Sequence, residues 1–253
     1  MKRSILVSFF ILLLVVIIGL ALSSQRAARP MQLKLNFLPV VGGQPLVLDE
    51  PRYANPAGEG RFKIRSFQFF ISNIRLIGKS GQYVEPESYH LVRFDSASGK
   101  YLITLDNVPR QKYQKIEFGI GVDAAANGAI TVSGDLDPNG RMAWSWDVGY
   151  KFVLFEGGLM LGGTQYPLVY HVGFDENFKT ISESLDGELF EQQAPSLDFR
   201  VDILRMFDAV NRIDMSVLSN VKFDRKDAKR LAENFAHMVT LCPMGCSPLE
   251  GIK

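Results

Sequence analysis

Cysteine is almost missing from this chain. Two occur in 253 residues, Cys242 and Cys246, both in the closing stretch "HMVTLCPMGCSPLEGIK". In an oxidising compartment such a pair closes a small loop as a disulfide, with Pro243 and Gly245 at the turn. The neighbouring His237, Met238 and Met244 add soft donors, so a copper clip is a second reading of the tail and free thiols a third. Net charge is missing too: 28 basic side chains face 27 acidic ones, for +1. That excludes the basic field a nucleic-acid surface needs. Catalytic equipment is equally thin. The chain has no G-x-S-x-G, no P-loop, no dinucleotide fingerprint and no H-E-x-x-H, so no enzymatic activity is expected. Histidine is limited to His90, His171 and His237, and a lone histidine in a strand is ordinarily structural.

The first residues are a targeting segment. "MKRSILVSFFILLLVVIIGLALSS" opens with Lys2 and Arg3 and runs apolar from Ile5 to Leu22, broken by Ser8 and Gly19. A basic start followed by an apolar stretch directs export. Ala21-Leu22-Ser23 offers a cleavage site, yet the run is nearly long enough to span a bilayer. Residues 1–23 are therefore a signal peptide or an N-terminal membrane anchor, with the membrane met only there. A linker covers 24–30, a folded domain 31–241, and a cysteine-containing tail 242–253. The body is expected in the periplasm. Losing Lys2 and Arg3 with residues 1–23 leaves 26 basic against 27 acidic side chains, a net −1.

What fills the remainder is strand pattern. "MQLKLNFLPV" alternates Leu33, Leu35 and Phe37 with polar neighbours, and "RFKIRSFQFFISNIRLIG" alternates over a longer run. Further runs, "ESYHLVRFD", "YLITLDNVP", "YQKIEFGIGVD", "TQYPLVYHVGF" and "SLDFRVDILRMF", are punctuated by Pro, Asn, Asp and Gly. Short strands spaced by turns predict an all-β chain, an antiparallel β-sandwich with layers of the immunoglobulin or cupredoxin kind, spanning about Gln32 to Phe207. One segment has the helical period instead. Ala228, Leu231, Ala232, Phe235 and Met238 predict an amphipathic helix over Asp224–Val239, with Asp224 as its N-cap.

Two features carry possible chemistry. Both tryptophans, Trp144 and Trp146, lie in "RMAWSWDVGYKFVLFEG", and strand alternation points both indoles to one face. Just before them, Asp135-x-Asp137-x-Asn139-Gly140 matches the first half of a calcium loop, with oxygen donors at alternate positions. The twelfth position is Trp146 rather than a bidentate glutamate, so a polar turn is the simpler reading.

The order "GGQPLVL … FFISNIRL … YVEPESYHLV … ITLDNVP … FGIGVD … LDPNGRMAWSWDVGYKFVLFEG … YHVGF" resembles the MbnP-like family, over roughly Gln32 to Val239. The resemblance implies a β-sandwich and an exported copper-binding protein associated with methanobactin and copper homeostasis. It also implies a partner, a di-haem peroxidase of the MbnH/MauG-like type. In such proteins two histidines hold one copper beside a kynurenine that the partner makes from tryptophan. Carried onto this chain, His90 and His171 become the metal ligands, and Trp144 or Trp146 the modified residue. Imidazole suits copper. The alternative is a metal-free sandwich acting as an interaction or envelope module, with the tryptophans as plain core.

Overall fold

A computed structural model describes residues 29–95, 101–129, 134–145, 149–185, 195–242 and 246. The segment expected to be a signal or anchor, residues 1–23, lies outside them, as do Trp146 and most of the 24–30 linker. Among the described residues no helix is long and apolar enough to cross a membrane.

The strands, in chain order, are β1 (Met31–Val41), β2 (Gln44–Pro45), β3 (Tyr53–Ala54), β4 (Arg61–Gly78), β5 (Gly81–Val84), β6 (Tyr89–Asp95), β7 (Leu102–Val108) and β8 (Tyr113–Ile120). After a one-turn helix, α1 (Ala124–Asn127), come β9 (Ala143–Ser145), β10 (Gly149–Leu161), β11 (Thr164–Gly173), β12 (Lys179–Ser184), β13 (Ser196–Asp202) and β14 (Asn220–Val221). The helix α2 (Arg225–Phe235) and β15 (Val239–Cys242) follow. They form two sheets. The small one runs β15-β13-β1-β2, with β7 also on β1. The large one runs β12-β8-β4-β10-β11-β14, with β3, β5 and β6 along the remaining edge of β4 and β9 on β10.

The all-β sandwich expected from the alternation is what forms. Two pairings depart from antiparallel: β1 lies parallel to β13, Phe37 opposite Phe199, and β11 lies parallel to β14. A parallel partner needs a long crossover, and β13 reaches β1 from more than a hundred residues downstream. Local hairpin signals carry no trace of it.

The core sits between the sheets and is rich in phenylalanine. Phe37 stacks on Phe199 at 5.3 Å, Phe118 meets Phe199 edge-on at 5.4 Å, and Phe155 meets Phe207 at 5.0 Å. Strand β4 is the spine. Its Phe67, Phe69 and Ile71 face this core, while Phe70 faces away, into a second apolar cluster with Val122, Leu136, Met142, Tyr150, Phe152 and Leu154. The second cluster lies on the outer face of the large sheet and is roofed by residues 134–143. The Tyr150 hydroxyl donates to the Leu136 carbonyl, which helps hold the roof down. A strand covered on both faces loses its clean alternation, hence the near-continuous "FQFFIS" of β4.

Helix α2 begins where its cap chemistry places it. The Asp224 carboxylate accepts the Asp227 N–H at 2.7 Å. Ala228, Leu231, Ala232 and Phe235 are buried, and Asn234 on the same face bonds to the Met206 and Asn211 carbonyls. The helix ends at Phe235, four residues short of the expected Val239, because Val239 pairs with Val201 as the start of β15. The β-branched Val239 and Thr240 suit a pleated edge better than a helix end. Replacing Phe235 with Ala is expected to cost about 3–5 kcal/mol, measured by urea denaturation. A loss below about 1 kcal/mol would mean that the helix rests on the sandwich without sharing its core.

Candidate functional site on the outer face of the large sheet

The residues around His171 are placed by register. On β11, Tyr170 and Val172 point into the core, so His171 and Gly173 point outward. His171 stands opposite Leu154 of β10, and Leu154 stands opposite Gln68 of β4. His90 of β6 stands opposite Ile71 of β4. Gln68 and Ile71 are three residues apart on one continuous strand, an odd step that reverses the face. His171 therefore belongs to the outer face. His90 has the inner-face register of Val92 and Phe94, near the end of its strand. The expectation that these two imidazoles share one ion is not met by this geometry.

Each histidine has its own carboxylate. His90 Nε2 lies 2.8 Å from Glu85 Oε2, and the same oxygen accepts the Ser88 hydroxyl at 2.5 Å. Ser88 Oγ in turn accepts the Ile74 N–H, which ties the β5–β6 turn to β4. His171 Nε2 lies 3.2 Å from Glu156 Oε1. Glu156 also takes Arg141 at 2.8 Å and Arg65 at 3.2 Å through its other oxygen. Burial alone would raise the Glu156 pKa, but Arg141, Arg65 and His171 together hold it below the usual carboxylate range. Burial pushes the His171 pKa down, and the Lys151 ammonium adds to that against the pull of Glu156. The imidazole is thus neutral at ordinary pH, with a lone pair to give.

Trp144 shares this face. Its ring covers Gly173, so that a Cβ at 173 would come within 2.8 Å of the indole. Gly173 is two residues from His171 along β11, the next position on the same face. The half-buried indole packs between Phe174 and Phe223, each 5.2 Å away. Phe223 is 60% exposed, so the stack opens to solvent. The Arg225 guanidinium lies 4.2 Å over the Phe174 ring and pairs with Glu176. Phe174 itself has φ 71°, a conformation that costs a non-glycine residue about 1–3 kcal/mol. It is held there by buried Asn177, whose Nδ2 donates to the Gly173 carbonyl at 2.7 Å and whose N–H donates to the Phe174 carbonyl.

The other candidates resolve differently. Asp135 accepts the Leu91 N–H at 2.8 Å, and Asp137 accepts both the backbone and side-chain N–H of Asn139 at 2.9 Å. These bonds build a polar turn that fastens the roof to β6, the simpler of the two readings of this stretch. Cys242 and Cys246 are joined as a disulfide, which removes the thiolates a copper clip would need. Among the described residues no group of three His, Cys, Asp or Glu side chains could hold a metal. Sequence reasoning missed Glu156, Phe174 and Phe223. The signal for Glu156 was visible, since "VLFEGG" sets one acid inside an apolar strand.

The depressed His171 pKa has a consequence for stability. Between the folded pKa and the unfolded value of about 6.5, the unfolded chain binds more protons. Stability therefore falls as pH drops through that window and levels off below the folded pKa. His171→Gln is expected to flatten this acid-side slope in urea titrations at a series of pH values. An unchanged slope would place the titration elsewhere.

Two curled sheets around an aromatic core, with a tryptophan and a histidine displayed together on an outer face, define an all-β sandwich with a surface site. The chain belongs to the MbnP family, whose model matches residues 30–228. MbnP from Methylosinus trichosporium superposes with a TM-score of 0.53 at 15% identity, over 71% of this chain and 78% of that one. At that identity the likeness speaks for the fold. None of the curated proteins matches the chain.

Proposed function

We propose that this chain is an exported, non-catalytic copper-binding protein whose site is built on the outer face by His171, Glu156 and an oxidised Trp144. One observation carries the reading: the Trp144 ring lies over Gly173, two residues from His171 on the same face. An indole has no free lone pair for a metal, so the unmodified chain offers one imidazole and one carboxylate, an incomplete set for copper. Kynurenine has an aniline nitrogen and a ketone oxygen, and either completes the set. Its formation cleaves the pyrrole ring of the indole, adds oxygen at both cleaved carbons and releases one of them as formate on hydrolysis. Hydrogen peroxide, used by a di-haem peroxidase partner, takes up the electrons. The half-exposed Trp144–Phe223 stack gives such a partner a place to dock. When bound, copper gives the protein its cargo, and this chain's residues hold and shield it. His90 stays with Glu85 and Ser88 as a structural residue.

A second reading has its own support. Arg65 and Arg141 occupy Glu156, and Lys151 adds another cation nearby, which disfavours a metal cation. On that reading the chain is a metal-free interaction module and Trp144 is packing. Metal analysis of the protein purified from its own periplasm separates the two. Stoichiometric copper supports the first reading; protein free of metal from copper-replete cells ends it and leaves the second.

A further inference from the structure

We propose that the outer face of the small sheet, on the other side of the sandwich from Trp144, binds a small organic oxyanion. A cavity of about 540 Å³ opens there between β13, the turn Ile203–Met206 and the chain entering β15. This is within the range of small-molecule sites, roughly 300–1,000 Å³, and far larger than a bare ion requires.

Its charge is unbalanced. Arg200, outward-facing on β13 opposite Thr240, and Arg205 at the end of the turn both line it, and neither guanidinium has a hydrogen-bond or ion-pair partner among the described residues. His237 lines it as well. The carboxylate present, Asp202, is turned to the backbone: its Oδ1 accepts the Gly42 N–H at 2.8 Å and the Leu204 N–H at 3.2 Å. Two guanidinium forks without acceptors suit a carboxylate or phosphate, which they bind through paired charge-assisted hydrogen bonds. The remaining wall is apolar. Met238 is buried beneath it, Ala209 flanks it, and Val210 is 65% exposed at the rim. An anion with a compact apolar body fills such a space, and an inorganic ion does not.

The test is calorimetry on the full-length chain at low salt with three probes: inorganic phosphate, phenyl phosphate and benzoate. At least one aromatic anion is expected to bind more tightly than inorganic phosphate, and the tighter of the two identifies the oxyanion. Arg200→Ala and Arg205→Ala are each expected to weaken binding about tenfold or more. Because neither arginine has a partner to lose, both variants should keep the wild-type melting temperature. Ala209→Trp, which fills the cavity and leaves both arginines in place, is expected to block binding. His171→Ala, on the other sheet, is expected to leave it intact, so the outcome stands apart from the copper reading. Aromatic anions that bind no better than inorganic phosphate would overturn the proposal. So would arginine variants that retain full affinity.

Discussion

Copper binding by the peroxidase-oxidised chain is expected to be lost in His171→Ala and unchanged in His90→Ala. The asymmetry follows from the sheet. An ion on the outer face cannot reach a side chain whose register is inward, and His90 is already bonded to Glu85 at 2.8 Å. His171 supplies the one neutral imidazole on the face, so its loss leaves a carboxylate and a single nitrogen or oxygen from residue 144. The expected fall in affinity is at least a hundredfold, on the order of 3 kcal/mol at 1.4 kcal/mol per decade. Glu156→Gln should fall between the two, since it removes a donor but also releases Arg65 and Arg141. A competition titration against a chromophoric Cu(I) chelator reads all three. Equal losses in both histidine variants would restore a shared two-histidine site and would require β6 or β11 to sit in a different register.

The sheets were legible because alternation is local. Leu33, Leu35 and Phe37 announce β1, and each is fully buried. The cap at Asp224 announces α2, and its carboxylate does accept Asp227 N–H. The end of α2 was not legible, because the competition at Val239 comes from a distant strand, β13. The site was half legible. Tyr-His in "ESYHL" and in "VYHVG" look alike in sequence, and both lie on strands of the same sheet. Which face each histidine takes depends on how β4 registers with β6 on one side and β10 on the other, through Ile71 and Gln68. No reading of either strand alone contains that parity. Glu156 stands out in "VLFEGG" as an acid in an apolar strand, but its partners do not, since Arg65 and Arg141 come from separate segments.

Oxidation is expected to mark Trp144, and Trp144→Phe is expected to abolish both the modification and copper binding. The ring lies between Phe174 and Phe223 at 5.2 Å each, and Phe223 is open to solvent. An electron can leave such an indole toward a haem docked on the surface, and water and peroxide can reach the oxidised ring. The strained backbone of Phe174 holds one wall of this slot, and Asn177 holds Phe174. Asn177→Ala should therefore slow the modification while sparing the chemistry of residue 144 itself. The expected loss of stability is about 1–3 kcal/mol, because the variant also removes a buried hydrogen bond. Peptide mass spectrometry on protein from the native cell reads the result on the fragment spanning residues 142–151. Replacement of a ring carbon by oxygen is expected at 144, and fragmentation separates it from Trp146. Oxidation at Trp146 with Trp144 intact would move the reaction centre off the Gly173 face and take His171 out of the site. Both indoles intact, in copper-replete and copper-starved cells alike, would leave Trp144 as the lid that packs Gly173.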